Sequence, residues 1–466
     1  MLPDPSLARP RIPSIAVLGG GPGGLFTAWS LQRALDRPVH LELYEASARL
    51  GGKVRTARLG PRGVPYEAGA AELYDYSALG EDPLRELVAE LGLATRPMEG
   101  HAVVVGGRFL ANLDDLESAL GAEAASALRR FDACAQDRLS PAEFFAADLE
   151  GGSASEAPGH RFSAFLDRVP SRGARRFVET LIHSDLATEP ERTSVGYGLQ
   201  NYLMNDPRYL KLYSIEGGNE RLIEALAQRV RAELRLEHEV LRVSRAPSGR
   251  LRIAWRSPRS SGEREHDLVV LALPLEALRR VAFEGELLRA ALARHIADYD
   301  HPAHYLRLTL LFERPFWRAR LQDSYAMLEA FGGACLYDES SRTPGAGYGL
   351  LGWLLGGEAA RAHAKLDDAT LLSRALEELP FEGALARELF VAGAVHRWSD
   401  AVNAIPGGEV PRSHARRHQP EPHAHPELFV VGDYLFDSTL NGVLDSADHV
   451  AHAIAARLAE SSEEAA

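Results

Sequence analysis

The order of apolar and polar residues near the start of the chain predicts a β-α-β unit with short connections. Ser14–Leu18 is an apolar run of strand length, and a glycine-rich turn over 19–24 separates it from a helix-compatible stretch over 25–35. A second strand-like run follows at 39–44. Strands that alternate with a helix in this way are typical of a parallel sheet with helices on its faces.

The pattern changes at about residue 82 and is helical up to about residue 202. Leucine and valine recur between residues 84 and 91 at the spacing that gives a helix one apolar face. A Gly-, Ser-, Ala- and Pro-rich segment at 151–160 interrupts the stretch and predicts a surface loop. We therefore expect a large helical insertion after the first β-α-β unit.

Strand-like patterns return after Tyr213 and continue to the last part of the chain. An alternating run at 305–312 places Arg307 and Thr309 on the face opposite its leucines, whereas continuous apolar runs at 268–273 and 428–431 are typical of strands covered on both faces. The other predicted elements are a strand at 214–218, a helix at 219–230, hairpin strands at 239–244 and 251–255, a final helix at 443–458 and a frayed acidic tail at 460–466.

Composition narrows the functional classes. The chain has 466 residues, of which 45% are hydrophobic and 25% charged, a balance that favours a globular protein with a large core. Its formal net charge of -13, without a basic run, argues against nucleic acid and anionic membrane as partners. The two cysteines, Cys134 and Cys335, cannot form a disulfide framework, and no segment reads as a signal sequence or a membrane span. We expect a cytoplasmic protein.

The glycine-rich turn has the spacing of a dinucleotide-binding loop. Gly19, Gly21 and Gly24 form Gly-x-Gly-x-x-Gly between the first strand and the first helix. In such a loop the glycines permit a sharp turn, a close approach of the backbone to a pyrophosphate, and close packing of helix on strand. Glu45, at the end of the second strand, can accept hydrogen bonds from ribose hydroxyls and repels a 2′-phosphate, which disfavours NADP. The alternative is a purely structural turn.

The residues that follow Glu45 distinguish between dinucleotides. Arg49, Gly51, Gly52 and Lys53 lie in Glu-Ala-Ser-Ala-Arg-Leu-Gly-Gly-Lys-Val-Arg-Thr (45–56), which resembles the second signature of flavin amine oxidases and their relatives. The two glycines expose backbone N–H groups, and Arg49 offers a bidentate fork for phosphate oxygens. Lys53 replaces the usual second arginine, so the positive charge is kept but the planar fork is lost.

Further segments resemble the same family, in family order. The segment 66–70 is similar to the part that lies along the flavin ring, the Pro-Phe-Trp at 315–317 to the end of a substrate-domain strand, and 429–447 to the terminal flavin motif. The cofactor contacts that the resemblance implies in these later segments are Gly69, Ala70, Val240, Gly432, Asp433 and Leu440. It implies FAD as the cofactor, held noncovalently because no cysteine lies near 398–408 to form the covalent link of some members.

The resemblance implies an α/β fold with two domains. A discontinuous, Rossmann-like FAD-binding domain would be assembled from 12–80, 213–285 and 395–459. An α+β substrate domain, which includes the helical insertion, would come from 81–212 and 286–394. We expect the active site where the flavin meets the second domain.

The resemblance also implies oxidation of a small-molecule substrate by hydride transfer to flavin N5. The first hypothesis is removal of hydride from the C–N bond of an amine or amino acid, with reoxidation of the flavin by O2. The second is C–C desaturation or dehydrogenation of an apolar, isoprenoid-like substrate, because 432–434 is similar to carotenoid-type desaturases. The third is a flavin-holding protein without turnover.

Three positions near the expected flavin are candidate catalytic residues. Arg307 lies where amine oxidases usually carry a lysine, and it could stabilise anionic reduced flavin, pair with a substrate carboxylate or be a solvent-exposed strand residue. Trp398 matches a position at which the family has an aromatic close to the flavin. Thr439 occupies the place of the aromatic that helps to cage a substrate amine.

Two other clusters have ordinary interpretations. The histidines of the Pro-rich segment 411–426 predict a surface loop rather than a metal site, because they lack regular spacing; they are His414, His418, His423 and His425. The polar and aromatic residues at 197–205 could contact substrate or simply pack.

Overall fold

The fold combines helices with several β-sheets. The structure is a computed structural model that describes residues 11–100, 102–144, 160–343, 345–410 and 412–463. Its helices are α1 (Pro22–Ala34), α2 (Pro83–Glu90), α3 (Leu113–Leu120), α4 (Ala122–Arg138), α5 (Phe162–Leu166), α6 (Arg172–Leu186), α7 (Val195–Leu203), α8 (Glu220–Ala227), α9 (Leu275–Leu278), α10 (Glu286–Asp298), α11 (Gly357–His363), α12 (Asp368–Glu377), α13 (Gly383–Leu389), α14 (His414–His418) and α15 (Leu440–Glu463). Within those ranges no helix combines the length and the apolar character that crossing a membrane requires.

The strands lie in five sheets in the described part of the chain. They are β1 (Ser14–Leu18), β2 (His40–Tyr44), β3 (Thr56–Leu59), β4 (Val64–Glu67), β5 (Leu73–Asp75), β6 (Thr95–Met98), β7 (Ala102–Val105), β8 (Arg108–Leu110), β9 (Lys211–Ile215), β10 (Glu233–Arg235), β11 (Glu239–Arg245), β12 (Leu251–Arg256), β13 (Ser261–His266), β14 (Leu268–Leu271), β15 (Ala282–Phe283), β16 (Pro302–Phe312), β17 (Tyr325–Leu328), β18 (Ala334–Asp338), β19 (Gly349–Gly356), β20 (Phe390–Asn403) and β21 (Leu428–Val430).

A five-stranded parallel sheet forms the centre of the first region. Its strand order is β10-β2-β1-β14-β21, and each pairing is parallel. The central strands β1 and β14 are almost completely buried, as their continuous apolar sequences predict. Helices α1 and α15 pack together and contribute apolar side chains to the core that covers this sheet. The predicted α/β, Rossmann-like fold is confirmed.

A seven-stranded sheet forms the second region. Its order is β20-β16-β19-β18-β17-β7-β8, and β16 pairs antiparallel with both β20 and β19. Helices α12 and α13 contribute to the apolar core on one face of this sheet. The alternative in which Arg307 is a solvent-exposed strand residue is wrong, because Arg307 is 1% exposed, and Thr309 on the same strand is fully buried.

The predicted helical stretch also contains strands. Helix α2 is followed by β6, β7 and β8, and helices resume only at α3. The turn between β7 and β8 uses Gly106 and Gly107 with φ of +57° and +73°, a conformation that favours glycine. Strand β7 pairs with β17, more than 200 residues further along the chain, so its place depends on a distant partner. Local helical periodicity around α2 does not extend to this segment.

Several predicted boundaries of domains and helices differ from those in the structure. The proposed domain boundary at residue 395 falls inside β20, which belongs to the seven-stranded sheet through its pairing with β16. Helix α10, which the prediction places in the substrate domain, packs instead in the core beside the parallel sheet. The final helix begins at Leu440 and runs to Glu463, so most of the predicted acidic tail is helical or lies outside the described residues. The loop predicted at 151–160 lies almost entirely outside the described residues.

The histidine-rich segment is only in part an exposed loop. It contains the short helix α14, and His418 is 1% exposed. Its Nε2 lies 3.0 Å from Ser446 Oγ in α15, and its Nδ1 lies 2.7 Å from the carbonyl oxygen of His414. Both ring nitrogens therefore have protein partners, which is a packing role rather than that of a metal ligand.

Candidate active site

The glycine loop fits tightly between β1 and α1. A Cβ on Gly19 would lie 2.2 Å from the carbonyl oxygen of Ala272, and a Cβ on Gly24 would lie 1.9 Å from that of Gly19. A Cβ on Gly21 would meet only Gly52 Cα, at 3.9 Å. The first and third glycines thus serve the close packing of the loop, whereas the second leaves backbone open towards a cavity. The helix begins at Pro22, earlier than predicted, because proline suits the first turn.

Glu45 follows β2 and closes the glycine loop. One of its carboxylate oxygens accepts a hydrogen bond from Gly20 N at 2.8 Å, and the other accepts from Ser47 N at 2.8 Å and Ser47 Oγ at 2.7 Å. The side chain also lines the cavity. Its carboxylate thus stabilises the loop, and its role as a ribose ligand stays a prediction.

The second signature docks on the glycine loop. Gly51 N donates to the carbonyl oxygen of Gly20 at 2.8 Å, and both Gly52 and Lys53 line the cavity. Lys53 Nζ donates to the carbonyl oxygen of Ala401. Arg49 instead donates to carbonyl oxygens of its own loop and lies 3.5 Å from Glu220, so its fork is already engaged by protein groups.

A single cavity of about 320 Å³ joins the nucleotide end to the second sheet. The predicted site residues that line it are Gly19, Gly21, Glu45, Gly52, Lys53, Gly69, Ala70, Arg307, Trp398, Asp433, Thr439 and Leu440. The predicted residues that do not line it are Gly24, Arg49, Gly51, Val240 and Gly432. Most of the residues that the motifs single out therefore meet in one place.

The segment 67–70 crosses the middle of this cavity wall. Gly69 packs so closely that a Cβ would lie 1.8 Å from the carbonyl oxygen of Lys53, and Ala70 N donates to that oxygen at 3.0 Å. Trp398 Nε1 donates to the carbonyl oxygen of Ala68 at 2.7 Å. Trp398 is thus held by the backbone of this segment while its side chain lines the cavity.

The last helix presents its N-terminus to the cavity. Thr439 caps α15, since its hydroxyl accepts a hydrogen bond from Gly442 N at 3.0 Å. Asp433 lies nearby, and burial raises the pKa of its carboxyl while the positive charge of Lys53 opposes that shift. Thr439 therefore caps a helix at the position where the resemblance implies a residue that cages the substrate.

Arg307 is buried and already bonded. Its Nε donates to the carbonyl oxygen of Glu67, and its Nη2 donates to Glu339. Its Nη1 has no hydrogen-bond partner among the described residues. Burial lowers the pKa of this guanidinium, but Glu339, Tyr337 and Glu72 together raise it by more, so the net shift of the pKa is upward. A bidentate clamp on a substrate carboxylate would need two free nitrogens, and one remains.

Two acidic residues of the site carry no sequence motif. Glu72 lines the cavity, and its Oε2 is buried without a hydrogen-bond partner among the described residues. Burial raises the pKa of its carboxyl, while Arg307 opposes the shift. Asp185, from α6, also has a carboxyl whose pKa burial and Glu72 raise well above its ordinary value.

Tyrosines surround these two carboxyls. Tyr74 and Tyr305 line the cavity, and burial raises the pKa of both hydroxyls, which therefore remain protonated donors. Tyr305 donates to the backbone carbonyl oxygen of Asp185 at 3.2 Å. No salt bridge joins Glu72 or Asp185 to a basic side chain in the described part of the chain. At this end of the cavity, one acidic side chain, Glu72, therefore lies in the lining together with two tyrosines.

A parallel sheet whose glycine loop opens into a cavity shared with a second sheet is typical of dinucleotide-binding proteins. The sequence model of the family described as flavin-containing amine oxidoreductase matches residues 22–455, and the chain belongs to this family. It is therefore an FAD-dependent oxidoreductase.

Individual relatives cover the chain to different extents. A flavin-dependent L-tryptophan oxidase from Lentzea aerocolonigenes is 26% identical over 95% of this chain and 98% of its own. A coproporphyrinogen III oxidase from Mycobacterium tuberculosis is 36% identical over 85 residues, which is 18% of each chain.

Solved structures share the fold. A putrescine oxidase variant superposes with a TM-score of 0.70 over 96% of this chain and 99% of its own, at 17% identity. The cyclohexylamine oxidase of Brevibacterium oxydans has a TM-score of 0.68 over 96% of this chain and 100% of its own, at 18% identity. At these identities the likeness concerns the fold alone.

Proposed function

We propose that the protein oxidises an amine at its C–N bond, with hydride passing to FAD and O2 serving as the final electron acceptor. The bound flavin supplies the electron sink for this chemistry. The chain's own residues bind the cofactor, orient the amine and shield it from water.

The nucleotide end of the cavity is proposed to hold FAD without a covalent bond. Gly21 leaves backbone open to a pyrophosphate, since a Cβ there would project towards the cavity and meet only Gly52 Cα at 3.9 Å. Glu45 is proposed to bind the ribose, and Lys53 with Asp433 to contact the middle of the cofactor. Neither of the two cysteines lines the cavity, which supports noncovalent binding.

One observation carries the choice of an amine. Glu72 reaches the cavity with a buried carboxylate oxygen that lacks a hydrogen-bond partner among the described residues. A buried carboxyl oxygen without a hydrogen-bond donor is costly unless a cation or a donor joins it. A substrate ammonium would supply both a positive charge and N–H donors. The same acidity opposes an isoprenoid-like substrate, so C–C desaturation is the weaker hypothesis.

An amino acid is the second candidate, favoured by the full-length similarity to an L-tryptophan oxidase. Its ammonium would meet the same acidic wall. Its carboxylate would find one free nitrogen on Arg307 rather than a bidentate fork. We therefore rank a simple amine above an amino acid.

The test is anaerobic flavin bleaching with amines, amino acids and polyenes, in the wild type and in E72Q. We expect amines to bleach the wild-type flavin, and E72Q to raise the amine KM roughly ten- to a hundred-fold, because a hydrogen bond to a charged group contributes about 1.5–3 kcal/mol. The control E224Q changes an exposed glutamate of α8 and should match the wild type. Bleaching by polyenes alone, or an unchanged KM in E72Q, would contradict the proposal.

A further inference from the structure

We infer that Glu339 is a positioning residue that holds Arg307 against the segment 67–70 and neutralises its charge, so that the cavity wall carries a neutral pair instead of a free cation. Glu339 belongs to none of the family motifs. This inference requires that the protein binds FAD, but it does not depend on the proposed amine substrate.

The first support is that Arg307 and Glu339 together bond both backbone groups of Glu67, which precedes the cavity-lining residues Gly69 and Ala70. Arg307 Nε donates to the carbonyl oxygen of Glu67, while Glu339 Oε2 accepts from the N–H of Glu67 at 3.0 Å. The remaining oxygen of Glu339 accepts from Arg307 Nη2, which closes the arrangement. Glu67 immediately precedes Ala68, whose carbonyl oxygen receives the Trp398 hydrogen bond. Movement of the pair would therefore shift the strip of backbone that lines the cavity.

The second support is that the sheet leaves space for the pair. Gly352 lies in β19, and a Cβ at this position would come within 2.4 Å of Glu339 Oε1 and 3.3 Å of Arg307 Nη2. A side chain larger than glycine would expel one member of the pair. Arg307 and Glu339 are 1% and 3% exposed, respectively, so water does not screen their charges.

The charge of Arg307 matters because its side chain lines the cavity. The Tyr337 ring lies 5.2 Å from the guanidinium carbon, and the carboxyls of Glu67 and Glu72 are other acidic groups near it. An unneutralised cation in such surroundings would favour negative charge on a bound group. The reduced form of a flavin can carry that negative charge. Loss of Glu339 should therefore make the flavin easier to reduce, and loss of Arg307 should make it harder to reduce.

The test compares the midpoint potential of purified, FAD-loaded wild type, E339Q, R307M and the double variant R307M/E339Q. We expect a positive shift in E339Q, a negative shift in R307M and a double variant close to the wild type. Arg307 Nη2 and Glu67 N–H bond different oxygens of Glu339, so in E339Q one of these two donors faces the amide NH2 group. In the double variant the arginine donor is gone, and the amide oxygen can turn to Glu67 N–H. The FAD Kd should accordingly rise in E339Q, by about tenfold, and recover in the double variant.

A purely structural pair would give a different result. Both single variants would then weaken FAD binding and shift the potential in the same direction, or leave it unchanged, and either outcome overturns the inference. So does a double variant that holds FAD no better than E339Q. The matched control is E263Q, which breaks an exposed pair with Arg242 on the four-stranded sheet and should leave both readouts unchanged. Failure of the amine proposal would leave these potentials unaffected.

Discussion

The two ends of the cavity are built in different ways. At the nucleotide end, Gly19, Gly21 and Glu45 come from one β-α-β unit and are held by backbone contacts within it. At the substrate end, Glu72 and Arg307 come from segments far apart in the chain and meet through sheet pairing and buried charge contacts.

Because of this difference, the two ends of the cavity tolerate different kinds of substitution. The nucleotide end depends on the absence of side chains, because backbone atoms approach one another closely there. The substrate end depends on charge balance, because several ionisable groups are buried together. Steric substitutions should therefore damage the first end most, and changes of charge or pH should act on the second.

The largest expected effect is at the glycine loop. G24A should prevent a stable fold or abolish FAD binding, because its Cβ would lie 1.9 Å from the carbonyl oxygen of Gly19. G21A should fold normally but bind FAD poorly, since its Cβ meets only Gly52 Cα, at 3.9 Å, and occupies space next to the cavity. Circular dichroism, thermal unfolding and FAD titration distinguish the two outcomes.

Gly347 provides the control for these variants. It is exposed, and a Cβ there has no neighbour within 4 Å, so G347A should match the wild type in both fold and FAD binding. If G21A loses its fold as G24A does, the distinction between a packing glycine and a cofactor glycine is wrong.

The second effect is a pH dependence from Glu67. Burial raises the pKa of its carboxyl from 4.5 to about 7, against the opposing charge of Arg342. The folded protein therefore holds this proton more tightly than the unfolded chain, and the free energy of unfolding should fall as pH rises from about 4.5 to 7. The displacement corresponds to about 3 kcal/mol.

E67Q sharpens this prediction because glutamine imitates the protonated carboxyl. Apoprotein of E67Q should lose less stability than the wild type between pH 5 and pH 8, as measured by thermal unfolding at each pH. Other buried acids, such as Asp445 with a pKa of about 7, titrate in both proteins and cancel in the comparison. Parallel curves for the two proteins would show that Glu67 is ionised throughout this range.

The third effect returns to the nucleotide end. E45A should raise the FAD Kd roughly ten- to a hundred-fold, because charge-assisted hydrogen bonds contribute about 1.5–3 kcal/mol. The structure adds that Glu45 also bonds Gly20 N and Ser47 N, so E45Q, which keeps one acceptor oxygen, should lie between E45A and the wild type. Equal Kd values in all three proteins would exclude Glu45 as a ribose ligand.

The sequence predicts the site well where the functional residues lie close together in the chain. The loop from Gly19 to Gly24 and the β-α-β unit around it follow from spacing and periodicity, and the structure forms them with small shifts of boundary. The family motifs likewise indicate FAD, because each lies on a short segment with its own pattern.

The residues of the substrate end could not be predicted from local sequence patterns. Arg307 looks like an exposed strand residue because β16 alternates, yet partners on both sides and a second layer bury it. Glu339 acquires its role only when β18 and β16 meet through β19. Glu72 has no motif at all. The one available signal was its place two residues after the flavin segment 66–70, which puts a carboxylate next to the cofactor.

The smallest expected effect concerns Thr439, the position at which sequence and structure assign different tasks. If Thr439 mainly caps α15, T439S should match the wild type, and T439A should destabilise the protein by about 1 kcal/mol, because Gly442 N would lose its acceptor. Thermal unfolding of the FAD-loaded protein measures this loss. Amine KM measured on the same three proteins tests the other assignment: a change in KM that T439S shares with T439A, without loss of stability, would place Thr439 against the substrate. Equal KM values with a destabilised T439A would identify it as a helix cap.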